Sequence, residues 1–233
     1  MQLKKKLFVL FIILLTSVSA LWAGDTAVFV DLGFSSDGRT YMFGQYGVLS
    51  ASLRPWADLY IVDVVTNSFV QNGRISLTES APIKAGQDGS GILHRLVSNN
   101  SSLTNRYGIN FQNQGLPLYI SRDERPPSRG EKIDFRDFLS GKSYVAQLIP
   151  TVTGSGRNAR SQFYINVDVS SSNGQFRTYK VGSPTFVRQG IVQYNIKRVL
   201  IDSNGNSVIF VIETMHATDN GYDVRYMVEA LRL

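Results

Sequence analysis

The chain alternates apolar and polar positions with a period of two along much of its length. Val28, Val30, Leu32 and Phe34 alternate before Asp37-Gly38, and Tyr41 and Phe43 resume after it. Phe163, Ile165, Val167 and Val169 point one way while Tyr164, Asn166 and Asp168 point the other, which describes an antiparallel strand half exposed to water. Every residue from Val208 to Ile212 is apolar, as suits a strand covered on both faces. Six Asp-Gly or Asn-Gly steps (at Asp37, Asn72, Asp88, Asn173, Asn204 and Asn220) supply the positive φ angles of tight hairpin turns. One stretch has helical spacing: Ile92, Leu93, Leu96, Val97 and Leu103 predict a helix over 90–106, weakest at Asn99 to Ser102 and stopped by Gly108. A shorter helical turn is expected from Asp134 to Leu139. Loops are expected over Gly44–Asp58, Arg122–Asp137, Thr153–Arg160 and His216–Tyr222; the second combines Pro126-Pro127 with balanced charge. The pattern predicts a mainly β (α+β) fold of antiparallel blade-like or sandwich sheets with one helix near 90–106.

The two ends echo each other. Residues 29–43 lie over 196–210, with Asp37-Gly38 on Asn204-Gly205 and Phe43 on Phe210. Residues 58–64 lie over 224–230, with Tyr60 on Tyr226 and Asp63 on Glu229. Each copy reads strand, tight turn, strand, longer loop, strand, which gives blade-like units over 27–66 and 194–232. A single copy cannot bury its second face, so the two are expected to share a sheet system or to form neighbouring blades.

Before these units, Lys4-Lys5-Lys6 precede the apolar run Leu7 to Leu15 and then small residues ending at Ala20 and Ala23. That order is a secretory signal peptide, with cleavage expected after Ala23 rather than Ala20. The remainder, 24–233, is long enough for one domain with a sizeable core. The whole chain has 24 basic and 18 acidic residues, but three of the lysines belong to the leader, so the excess of positive charge is modest. Nothing in that balance asks for nucleic acid. With no Cys in the chain, disulfides, thiolate metal sites and a lipid-anchored Cys at the cleavage point are excluded. The expected destination is periplasmic or secreted, not as a lipoprotein, with the membrane involved only through the signal segment if it is uncleaved.

Phe34-Ser-Ser-Asp-Gly38 followed by Leu59-Tyr-Ile-Val-Asp63 is similar to the blades of periplasmic TolB-like propellers, which implies a hairpin and no chemistry. The wider pattern resembles a family of predicted secreted bacterial proteins, domain of unknown function 2259. That resemblance rests on Ala23-Gly-Asp25, residues 29–39, Tyr46-Gly-Val48, Leu59–Val64, Val208–Glu213 and Arg225–Glu229. It implies export and a fold, and it brings no catalytic residue.

Candidate chemistry is sparse. The two histidines, His94 and His216, show no metal-ligand spacing and read as solvated side chains. No nucleophile elbow or Ser-x-x-Lys pair occurs, and Gly141-Lys142-Ser143 lacks the first glycine of a phosphate loop. Asp202, Asn204 and Asn206 alternate as in a calcium loop, but the glycine falls at the wrong place and a turn is the better reading. Asp63 and Glu229 are weighed as an acid/base pair against turn anchors or partners of Arg39 or Arg225. No metal or cofactor is expected.

Trp56, Tyr46 and Tyr41, with Arg54 in the same stretch, form the candidate binding surface around 44–58, against the alternative that Trp56 lies over its own sheet. The expectation is a non-enzymatic envelope module that binds protein through sheet edges and this loop. The alternative is a carbohydrate- or cell-wall-binding module, and a carboxylate hydrolase ranks last. The possible partners are therefore an envelope protein or a cell-wall glycan.

Overall fold

The computed structural model describes residues 24–122, 130–219 and 221–233, so the leader, 123–129 and Asn220 lie outside the described residues. Among the described residues, twelve strands make three four-stranded antiparallel sheets. The first is a meander of β1 (Val28–Phe34), β2 (Thr40–Val48), β3 (Pro55–Asp63) and β4 (Ser68–Thr78). The third is a meander of β6 (Lys132–Arg136), β7 (Ser143–Thr153), β8 (Arg160–Ser170) and β9 (Phe176–Gln189). Between them, β12 (Gly221–Arg232), β11 (Ser207–Thr218), β10 (Ile191–Ile201) and β5 (Leu116–Ile120) lie in that order. The protein is mainly β.

The period of two decides how the sheets stack. In β11, Val208, Phe210 and Ile212 pack on Phe163, Ile165 and Val167 of the third sheet. Ile209 and Val211, one residue out of phase, pack on Phe29, Phe43 and Val62 of the first. The middle sheet is thus covered on both faces, as its unbroken apolar run requires. The outer face of the first sheet presents Met42, Leu59 and Ile61 to Ile92, Leu93 and Leu96 of helix α1 (Ser90–Asn99). A second helix, α2 (Ser101–Arg106), follows directly. The predicted helix is interrupted at Asn100, whose amide donates back to the Leu96 carbonyl (2.7 Å).

The internal echo is structural. β1–β2–β3 and β10–β11–β12 correspond strand for strand, and the copies face each other across one apolar layer. Their turns match bond for bond: Gly38 donates to the Ser35 carbonyl (2.9 Å) and Gly205 to that of Asp202 (3.0 Å). The φ angles of the two glycines are 68° and 69°. The turns also touch, because Ser207 Oγ donates to the Gly38 carbonyl (2.7 Å) and Asn204 to that of Ser36 (3.1 Å).

Several boundaries depart from the sequence pattern. Residues 132–136 are a strand instead of the start of a helical turn or the end of a loop. Ile133 and Phe135 face the core while Lys132, Asp134 and Arg136 face water. The span 44–58 contains a true turn only between β2 and β3, since both ends continue as paired strands from Gly44↔Leu59 to Val48↔Pro55. Gly44 and Gly47 act there as space-makers: a Cβ would stand 2.5 Å from Leu93 Cδ1 and 2.9 Å from Trp56 Cζ2. The span 216–222 is a tight hairpin, because β11 and β12 pair as far as Thr218↔Gly221. The 153–160 loop is present, with a short 3-10 turn at Gly156–Asn158.

Candidate functional site

The two segments singled out in the sequence, at the β2–β3 turn and the β11–β12 hairpin, meet through the start of the described chain. Thr26 pairs in parallel with Val224. The Asp25 carbonyl accepts from Val224 N–H (2.8 Å), and Ala27 N–H donates to the Val224 carbonyl (3.0 Å). The Asp25 carboxylate accepts from Ser50 N–H (2.5 Å) in the β2–β3 turn. Arg225 closes the cluster: it pairs with Asp223 (3.3 Å) and Asp25 (3.6 Å), and its guanidinium lies 4.3 Å from the centroid of the Trp56 ring.

This geometry redistributes the expected binding residues. Trp56 is 6% exposed, held between Gly47 and Arg225, and so lies over its own sheet rather than as an exposed platform. Tyr41 is fully buried between the first and middle sheets. Tyr46 is half-buried on the opposite, helix-bearing face, because positions 41 and 46 differ in parity along β2. Arg54 donates from Nε to the Glu79 carbonyl (2.7 Å) and fastens the turn to the end of β4. The four do not converge on one surface. The Trp56 ring, covered by Arg225, presents no open stacking face.

The histidines separate too. His94 is exposed on α1, whereas His216 lies within β11 and is half-buried, not solvated in a loop. Burial and the neighbouring Arg225 lower its pKa against the opposing pull of Asp223. Thr214 Oγ donates to the Arg225 carbonyl (3.0 Å), so the 3.0 Å contact between Thr214 and His216 leaves the proton on His216 Nε2. An imidazole in that state is not placed to deprotonate the threonine.

The weighed carboxylate pair is likewise divided. Asp63 accepts from Thr66 N–H (2.9 Å) and anchors the β3–β4 turn. Glu229 is buried and joins three sheets: Asn67 donates to it from the first (2.5 Å) and Arg188 reaches it from β9 (3.4 Å). Its partner is Arg188, not Arg39 or Arg225. Burial raises the Glu229 pKa, partly offset by Asn67 and Arg188. Asp202 accepts from the amides of Asn206 and Ser207 (both 2.7 Å), which makes the calcium-like alternation a turn. Among the described residues no cluster of three or more His, Asp or Glu is arranged to hold a metal.

Among the described residues, two open surfaces lie near the elements above. One is a cleft of about 600 Å³ lined by Pro55, Ile83, Gln87, Asp88 and Ile92. Its polar groups are engaged locally: Asp88 accepts from Ser90, and Gln87 accepts from Lys84 N–H. The other is β9, a fourteen-residue edge strand with exposed Phe176, Phe186 and Val187. The opposite treatment of β12 is instructive. Its outer amides are met by Asp25 at Val224, by Gln45 at Tyr226 (2.8 Å) and by Asn67 at Ala230 (2.7 Å). Among the described residues no backbone pairing covers the outer edge of β9. Sequence reading missed Phe186, Val187 and Arg188, although Pro184 in an otherwise extended run marks an edge strand.

A family model described as predicted secreted protein (DUF2259) matches residues 42–232. Neither the curated proteins nor the solved structures give a match.

Proposed function

The chain belongs to the DUF2259 family of predicted secreted proteins, and from that premise we propose that it is a non-enzymatic envelope module that holds a protein partner along the edge of its third sheet. We place it in the periplasm or outside the cell, free of a lipid anchor because it has no Cys to carry one.

The observation that carries this reading is the 185–189 stretch of β9. Phe186 is 61% exposed and Val187 45%, on an edge that the described backbone leaves unpaired. Pro184 has no N–H and opens a bulge of β9 over 184–187, where Thr185 N–H turns back to Ser183 Oγ (3.4 Å). Arg188 holds the Phe186 ring in place: its guanidinium lies 4.8 Å from that centroid and 4.8 Å from the buried Phe163 ring, while pairing with Glu229. The register of β9 against β8 shifts here, from Phe163↔Ser183 to Ser161↔Arg188, so 184–187 bulge away from β8, and the exposed aromatic that Arg188 steadies on this bulge suits an anchor for a partner segment.

Affinity capture from a crosslinked extract of the native cell envelope tests the reading. The wild-type chain should retain one reproducible protein. A chain carrying Phe186→Glu and Val187→Lys, both at exposed positions, should keep its thermal transition and lose that protein by about tenfold or more. Equal capture by both chains would contradict the proposal.

A further inference from the structure

The apolar layer between the third and middle sheets ends in a cavity of about 140 Å³. Val169 of β8 and Leu233, just beyond β12, supply its apolar lining. The rest of the lining carries donors from separate parts of the third sheet: Lys142 ahead of β7, Ser171 and Gln175 in the β8–β9 turn, and Arg177 and Tyr179 of β9. Register explains the placement. Arg177 stands opposite Val169 and Tyr179 opposite Val167, both on the core face, while Phe176, Thr178 and Lys180 fall on the other. The turn is fixed by its own bonds, from Ser171 N–H to the Gln175 carbonyl (2.9 Å) and from Gly174 N–H to the Ser171 carbonyl (3.0 Å). Lys142 Nζ donates to the Gly205 carbonyl of the middle sheet (3.4 Å), which holds the ammonium across the gap with donors to spare.

We infer that this cavity binds a phosphate group, with Arg177 and Lys142 supplying the charge and Ser171, Gln175 and Tyr179 donating to its remaining oxygens. Three observations carry the inference. First, the positive charge is unspent: no Asp or Glu side chain lines the cavity, and neither cation forms an ion pair among the described residues. The nearby acids are engaged elsewhere. Asp137 acts on Lys142 but accepts from Leu139 N–H (2.9 Å) and Ser140 Oγ in its own turn. Asp202 takes the amides of Asn206 and Ser207, and Asp168, on the other face of the sheet, accepts from Thr178 (2.7 Å). Second, Tyr144 stands opposite Val169 on the core face, 1% exposed, and its hydroxyl has no hydrogen-bond partner among the described residues. A buried donor left unpaired is costly, and an oxyanion on this side of the layer brings the acceptor it lacks. Third, size and direction select the ligand. The cavity is well below the roughly 300–1,000 Å³ of sites for drug-sized molecules, so it takes a small group. Donors converging from β7, the turn and β9 match the four corners of a phosphate, whereas one guanidinium fork already satisfies a planar carboxylate.

The group can arrive as the free ion or at the end of a monoester, and the test carries both. The exported chain is titrated at neutral pH and constant ionic strength with inorganic phosphate, glycerol phosphate and acetate, followed by amide chemical shifts. Phosphate should saturate one site, move the amides of Lys142 and of 171–179, and bind at least about tenfold more tightly than acetate. Saturation by the free ion alone assigns the site to phosphate, and equal or tighter saturation by the ester assigns it to a monoester; either supports the inference. Arg177→Gln should weaken binding by about tenfold, and Lys142→Gln and Tyr144→Phe by about fivefold each. Lys180→Gln, on the other face of β9, should leave it unchanged. The thermal transition of each variant without anion separates lost binding from lost fold. No saturable shift, acetate binding as tightly as phosphate, unaltered binding in Arg177→Gln, or equal weakening in Lys180→Gln would overturn the inference. The site is separate from the 185–189 bulge, so the chain carrying Phe186→Glu and Val187→Lys should keep its phosphate affinity, and either proposal can fail alone.

Discussion

At the residue scale, buried charge is used to hold sheets together. Glu229 sits where Asn67, Arg188 and the backbone of Gly182 converge, and a Cβ on Gly182 would lie 3.3 Å from its carboxyl carbon. Burial raises its folded-state pKa above the ordinary 4.5. Its ionisation therefore costs nothing below that value and lowers stability as pH rises through the folded pKa. His216 has the opposite sign. With its folded pKa held below the ordinary 6.5, its contribution is complete above pH 6.5 and is lost as pH falls towards the folded value. Urea unfolding across pH should show both: Glu229→Gln flattens the decline above 4.5, and His216→Gln flattens the loss below 6.5. Arg188→Met leaves Glu229 without its counter-charge and should cost about 2–4 kcal/mol at neutral pH, less in acid, by the same measurement.

At the element scale, strand and turn chemistry was largely legible, and the exceptions have physical causes. The Asp37-Gly38 and Asn204-Gly205 turns were readable because a positive φ selects those residues locally. Strand β6 was obscured because its outward positions are charged and its pairing partner β7 comes from tertiary structure. The 44–58 stretch looked like a long loop because Gly44, Gly47 and Pro55 ordinarily break strands; here the glycines admit Leu93 and Trp56, and the proline stands at the first position of β3. The binding residues were illegible for a related reason, since the parity of Tyr41 and Tyr46 follows from the strand continuing through that span. Gly33 tests this scale. It occupies the bulge of β1 at φ 108°, and a Cβ would stand 2.4 Å from the Asn110 carbonyl oxygen. Gly33→Ala should cost about 2–3 kcal/mol, read as a lowered urea midpoint with an unchanged far-ultraviolet spectrum.

At the scale of the whole molecule, the middle sheet is the shared wall of two apolar layers. The predicted two-sided burial of Val208–Ile212 and the facing repeats are therefore one fact, since a sheet covered on both sides needs another sheet on each. Phe210→Ala should remove about 3–5 kcal/mol, and a chain ending after Gln189 should lose its cooperative transition, because both outer sheets would lose their cover. The three stacked sheets leave β9 as an edge of the third, and the proposed partner would be held there. The direct test is a photoreactive amino acid at position 186 in the native cell, with the same group at exposed His94 as control. The account predicts one discrete protein adduct from 186 and none matching it from 94; no adduct at 186, or the same adducts from both positions, would contradict it.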